Sequence, residues 1–137
     1  MRVFIDSDVV ISSLLSTTGA AYFLLNQSEI HPVISNVSYE ELQIVVNRMT
    51  INPEKFKTSS KQFEKYTLSQ KLSQIKKSYA SYVTDINDAH IVAGAKESHV
   101  KYLITYNLKH FKTDKIKSEL DILLLTPALF LQYLRSQ

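Results

Sequence analysis

The 137-residue sequence contains no cysteine and only two glycines, Gly19 and Gly94. Without cysteine there are no disulfides, thiolate zinc sites or cysteine nucleophiles, a composition that suits a reducing cytoplasm. Two glycines are too few for the loops that cradle phosphates with successive backbone N–H groups. Long apolar runs are also missing: none approaches the ~18 residues of a membrane-spanning helix. The opening MRVFIDSDVV carries an arginine and reaches Asp6 at once, unlike the uncharged stretch of a secretory signal. The expectation is a cytoplasmic protein with no membrane association. Internal repeats, low-complexity tracts and linkers are absent too, so residues 1–137 are expected to form a single domain.

Hydrophobic residues make up 45% and charged residues 21% of the sequence, which places the chain among globular proteins able to bury a core. The formal net charge of +3 is compatible with a nucleic-acid partner without being diagnostic of one.

Hydrophobic patterning predicts strands alternating with helices. Val3-Phe4-Ile5 is a short continuous apolar run, as expected of a buried parallel strand. Asp6, Ser7 and Asp8 then supply cap-type residues for a helix through VVISSLL. A second helix is predicted after Gly19, a strand at HPVIS, and a helix from Ser35 or Asn36 to about Met49. Asn52 to Tyr82 lacks a strand-like run and reads as two helices broken near Thr67 to Ser69, with Pro53 at a helix start. Ser81 to Thr84 is a short strand or extended turn, AHIVAGAKES a helix, YLIT a strand and Asn107 to Phe111 a turn. ILLLT and the helix from Pro127 close the chain. This order predicts a three-layer α/β/α sandwich with a mostly parallel central sheet.

Function is expected where carboxylates gather. Ligand sites of open α/β sheets lie beyond the carboxyl ends of the strands. Asp6 ends the first strand, Asp85 and Asp88 precede a helix, Thr105 and Asn107 end YLIT, and Glu41 lies on the helix after the second strand. Oxygen ligands without Cys or paired His suit a hard cation, Mg²⁺ or Mn²⁺. Such a site activates water and stabilises displacement at phosphorus. Each acidic residue also has a plainer role open to it, since acids at helix starts cap the helix and complement its dipole. Asp6 resists that reduction because it interrupts an apolar strand.

VFIDSDVVISSLL, ISNVSYEEL, DINDAHIVAGA, YLITYNLKHF and LTPALFLQYL together resemble the PIN-domain family, including its VapC-type toxin nucleases. The resemblance runs from Arg2 to Leu134 and is weakest between Thr50 and Val83. It implies a Mg²⁺- or Mn²⁺-dependent ribonuclease, with Asp6, Glu41 (chosen over Glu40 by motif spacing) and Asp88 as core carboxylates. Thr105 would orient a metal-bound water or a neighbouring carboxylate. It also implies an RNA substrate, an antitoxin protein as partner and a homodimer. Two positions depart from the family pattern. Asn107 stands where a fourth acid is common, and Asp8 where Asn is usual. Asp8 or Asp85 is therefore the candidate to restore the missing charge.

Three further readings come from the same residues. FIDSDVV also fits a haloacid-dehalogenase-type phosphatase, with Asp6 as nucleophile and Asp8 as general acid; scarce glycine and the last third of the chain argue against it. Asn107 motivates a degenerate fold that binds RNA as a scaffold. The basic stretch Lys55 to Lys77 is either an RNA-tracking surface or a helical hairpin with Phe56, Phe63, Tyr66 and Tyr79 in the core. Near the rim, Lys109 and His110, with Asp8, are candidate substrate contacts. His90 is expected on another helical face from Asp88, His99 is a weaker metal or acid–base candidate, and His31 is a surface residue.

Overall fold

The computed structural model describes all 137 residues. Its strands are β1 (Arg2–Ile5), β2 (His31–Ser35), β3 (Glu64–Tyr66), β4 (Tyr102–Ile104) and β5 (Leu123–Leu125). They form one sheet in the order β3-β2-β1-β4-β5, with every pair parallel. Parallel neighbours require crossovers, here supplied by α1 (Ser7–Leu15), α2 (Ala20–Leu25), α3 (Asn36–Arg48), α4 (Pro53–Ser60), α5 (Leu72–Ser78), α6 (Ala89–Glu97) and α7 (Thr113–Leu120). The last helix is α8 (Pro127–Arg135), and single 3-10 turns cover Ala80–Tyr82, Ile86–Asp88 and Leu108–His110.

The two-residue period of the strands sorts the core into two layers. Val3, Ile5, Ile34 and Ile104 pack with residues of α1, α2, α3, α4 and α8. Phe4, Val33, Leu103 and Leu124 pack on the opposite face with Ile75, Ile91, Val92 and Ile116 of α5, α6 and α7. The expected α/β/α sandwich is therefore present, with a wholly parallel sheet. Pro32 fits inside β2 because of its register. His31 donates its N–H to Met1 O at 2.7 Å, so the Pro32 nitrogen faces the other side, where pairing with β3 begins only at Val33.

Two elements differ from the sequence expectation. Asn52 to Tyr82 is not a pair of helices alone, because β3 lies between α4 and α5. Glu64-Lys65-Tyr66 has no apolar alternation, since Glu64 and Lys65 are exposed on a sheet edge. A distant residue fixes this strand. Arg2 Nε and Nη2 donate to Glu64 Oε1 and Oε2 at 2.9 and 2.6 Å, and Arg2 Nη1 donates to Ser98 O at 2.7 Å. The bidentate geometry adds specificity, and edge charges discourage pairing with another sheet. The second difference is α7, whose buried face is little more than Ile116. Ser81 to Thr84, expected as a short strand or extended turn, is the end of a 3-10 turn followed by one antiparallel bridge, Val83 to Phe111.

In the basic stretch, Phe56 and Phe63 belong to the core and Tyr66 and Tyr79 pack against it. Two of its lysines are also engaged within the protein. Lys55 Nζ donates to Leu14 O at 2.5 Å, and Lys65 Nζ sits 3.8 Å from the centre of the Tyr39 ring.

The scarce glycines are not spent on unusual backbone. The left-handed positions belong to Thr50, His99 and Asp121, at φ 53°, 60° and 57°. His99 thus follows the Ser98 cap at the end of α6, a position normally favoured for glycine. Gly94 has a packing role: a Cβ there would stand 2.5 Å from Phe4 Cζ and 2.7 Å from Phe4 Cε2. Gly94→Ala is expected to cost about 1–3 kcal/mol through overpacking, read from urea denaturation midpoints. An unchanged midpoint would show that the Phe4 ring yields freely.

Candidate active site

The sheet reverses direction of winding at β1, which has β2 on one side and β4 on the other. The crevice beyond the carboxyl ends of β1 and β4 is the topological switch point, where open α/β folds place their sites. Asp6 is the first residue after β1. Its N–H donates to Ile104 O at 3.0 Å, which extends the β1–β4 ladder by one bond. Its side chain then caps α1, with Oδ1 accepting from Ser7 N–H at 2.7 Å. Thr105, fully buried after β4, donates its hydroxyl to Asp6 Oδ2 at 2.8 Å.

The capping role and the functional role thus fall on one carboxylate. Asp6 reaches the surface only in part and is crowded by protein, and this burial pushes its pKa up to about 7. The charges of Asp8 and Asp88 push the same way, while the Thr105 and Ser7 hydrogen bonds oppose them. Asp8 and Asp88 are also raised, each mainly by burial. Asp88 is further raised by Asp85 and Glu41 and lowered by His110 and His90.

Asp88 ends the Ile86–Asp88 turn and starts α6. Glu41 projects from α3, and its Oε1 lies 3.1 Å from Nε2 of His90, which is 4% exposed. This pairing was not anticipated from the sequence. His90 lies two residues beyond Asp88 and pairs instead with Glu41 on the neighbouring α3. A buried histidine within a run of small apolar residues was the available signal that a partner was needed. Glu41, rather than Glu40, is the α3 carboxylate that meets His90 and whose charge is felt by Asp88.

His110 Nδ1 lies 3.7 Å from Asp88 Oδ2. The His110 turn is held there by Thr84, whose N–H and hydroxyl both donate to His110 O, at 3.0 and 3.2 Å. Asp85 is exposed, and its Oδ1 accepts from Asn87 N–H at 2.9 Å, a capping bond. Asn107 N–H donates to Thr105 Oγ1 at 3.0 Å, and its side-chain amide reaches Asp8. Lys109 lines a different cleft, together with Phe111, Lys117 and Leu124.

The rim is open. None of the five best-formed concavities is lined by Asp6, Asp8, Glu41 or Asp88. No three His, Asp or Glu side chains converge tightly enough to make a ready metal cage. The donor chemistry nevertheless fits a hard divalent cation. The carboxylates repel one another, all candidate ligands are oxygens, and Asp8 Oδ1 is enclosed without any hydrogen-bond partner.

The family model for the PIN domain matches residues 2–109 of this geometry. The chain belongs to the PIN-domain family, and this membership removes the phosphatase alternative. No protein of curated function matches it. Among solved structures it resembles a toxin–antitoxin complex from Klebsiella pneumoniae, with TM-score 0.68 and 18% identity over 91% of this chain and 97% of that one. It also resembles VapBC2 from Rickettsia felis, solved bound to a promoter DNA fragment, with TM-score 0.67 and 17% identity over 92% and 98% of the two chains. VapC20 from Mycobacterium tuberculosis, described as a toxin cleaving the sarcin-ricin loop, gives TM-score 0.55 and 13% identity over 88% and 98%. At such identities the likeness is one of fold.

The state of Asp6 sets a pH dependence. Because its folded pKa is raised from 3.8 to about 7, the ionised carboxylate destabilises the fold progressively as pH rises through that window. Asp6→Asn is expected to melt above wild type at pH 8, with the gap closing toward pH 4. Thermal melts across this range check the prediction; a gap independent of pH would remove it.

Proposed function

We propose that the protein is a divalent-metal-dependent endoribonuclease, with Asp6, Glu41 and Asp88 holding Mg²⁺ or Mn²⁺. The observation that carries this reading is the buried Asp6 carboxylate at the switch point, within the field of Asp8 and Asp88. When bound, the cation supplies a water nucleophile at neutral pH and stabilises charge on the phosphoryl oxygens. The chain's own residues position the parts. Thr105 fixes one oxygen of Asp6, and the start of α1 fixes the other. His90 steers Glu41 toward Asp88. His110 stands exposed beside Asp88, where it can meet a phosphate of the substrate.

The open rim favours a polymer over a small metabolite, because small-molecule sites enclose most of their ligand. Surface lysines of the Lys55 to Lys77 stretch provide positive charge for a phosphate backbone. RNA is preferred over DNA because of the family and because VapC20, a fold neighbour, is described as cutting an RNA loop.

The structural neighbours in toxin–antitoxin complexes support an antitoxin partner, and the same reading includes a homodimer. Exposed Phe23 and the cleft it shares with Leu131 and Leu134, between α2 and α8, offer an apolar surface for such contacts. The lack of cysteine suits a reducing cytoplasm, the location proposed for the protein, and no helix is long and apolar enough to cross a membrane.

The test is cleavage of a mixed pool of structured RNAs with Mn²⁺, with EDTA and with Asp6→Asn. Mn²⁺-dependent cutting is expected, lost in EDTA and reduced on the order of a hundredfold or more in the variant. RNA that is bound but left intact in Mn²⁺ would instead establish the scaffold reading.

A further inference from the structure

Asp8 and Asn107 are 99 residues apart in sequence and joined by one hydrogen bond. Asn107 Nδ2 donates to Asp8 Oδ2 at 2.9 Å, and the Tyr106 N–H donates to the same oxygen at 3.2 Å. Asn107 N–H also donates to Thr105 Oγ1, whose hydroxyl donates to Asp6 Oδ2. A continuous chain of hydrogen bonds therefore runs from Asp6 through Thr105 and Asn107 to Asp8. Both donors reaching Asp8 engage Oδ2. The other oxygen, Oδ1, is enclosed by protein and has no donor. A buried carboxylate oxygen left in this way requires compensation; of the charged groups around Asp8, His110 favours its ionised form and Asp88 opposes it.

We propose that Asp8 is the fourth carboxylate of the cation site and that Asn107 is its positioning residue rather than a ligand. An amide that gives its N–H to Asp8 holds that carboxylate in one orientation and leaves Oδ1 as the oxygen without a hydrogen-bond partner. The negative charge lacking at position 107 is thus present one hydrogen bond away, on the first turn of α1. Asp85 does not fill this place: it is exposed, and one of its oxygens caps the turn that leads to Asp88. The inference rests on the metal-dependent reading above, and the following measurement separates the two.

Mn²⁺ binding is titrated calorimetrically on the full-length protein for wild type, Asp6→Asn, Asp8→Asn, Asp85→Asn, Asn107→Ala and the Asp8→Asn/Asn107→Ala pair, each checked for an intact thermal transition. Asp8→Asn is expected to weaken Mn²⁺ by roughly tenfold or more, and Asn107→Ala by about tenfold, the scale found for outer partners of metal ligands. Asp85→Asn should stay within about threefold of wild type, as for a screened surface charge. Once Asp8 is neutral, Asn107→Ala should have no further effect, because a positioning residue acts only through the group it holds. Loss of binding in Asp6→Asn but not in Asp8→Asn would overturn the role of Asp8 and leave the metal site standing. Equal losses in Asp8→Asn and Asp85→Asn would reduce the effect to diffuse charge and also overturn it. Additive effects of Asp8→Asn and Asn107→Ala would overturn the positioning role. Wild-type affinity in Asp6→Asn would instead overturn the metal-dependent reading itself.

Discussion

One carboxylate, placed where the central strand meets its helix, governs the rest of this molecule. Asp6 continues the β1–β4 ladder through its N–H, caps α1 through one oxygen and receives the Thr105 hydroxyl on the other. These bonds belong to the fold and favour an ionised side chain, whereas the burial that the fold imposes disfavours it. The outcome is a group near its midpoint at neutral pH, held rigidly by secondary structure on both sides. A loop would not supply that combination, because its backbone would move to relieve the repulsion.

The neighbouring groups extend the same logic. Three carboxylates at the rim each have a polar neighbour: His90 beside Glu41, His110 beside Asp88 and Asn107 beside Asp8. Those partners come from α6 and from the stretch after β4, the two segments that flank the crevice. The parallel order of the sheet is what delivers them to one edge. A cluster of oriented carboxylates favours positive charge in its midst.

Much of this was legible in the sequence. The apolar runs of β1, β2, β4 and β5 are visible because buried parallel strands need side chains that are apolar on both faces. Helix starts at Asp6, Ser35 and Pro127 are visible because capping chemistry is local. Motif spacing singles out Glu41 over Glu40, and Glu41 is the one that pairs with His90. The hidden parts are those fixed by long-range contacts or weak local signals. β3 is an edge strand whose identity depends on Arg2, 62 residues away from Glu64. The α7 helix buries little besides Ile116, so its periodicity is faint. The pairing of His90 with Glu41 crosses from α6 to α3, and the Asp8–Asn107 bond crosses from α1 to the segment after β4; no window of sequence contains either pair.

The scarcity of glycine acquires a different meaning once the backbone is known. A chain of 137 residues with two glycines has fewer conformations to lose on folding than one with a usual share. Yet three turns adopt the left-handed region with Thr50, His99 and Asp121, and each pays a steric penalty of order 1 kcal/mol. The protein therefore trades comfort at three corners for a stiffer chain everywhere else. The consequence lies in the unfolded state, which has less backbone freedom to give up when the rim and its supporting elements order.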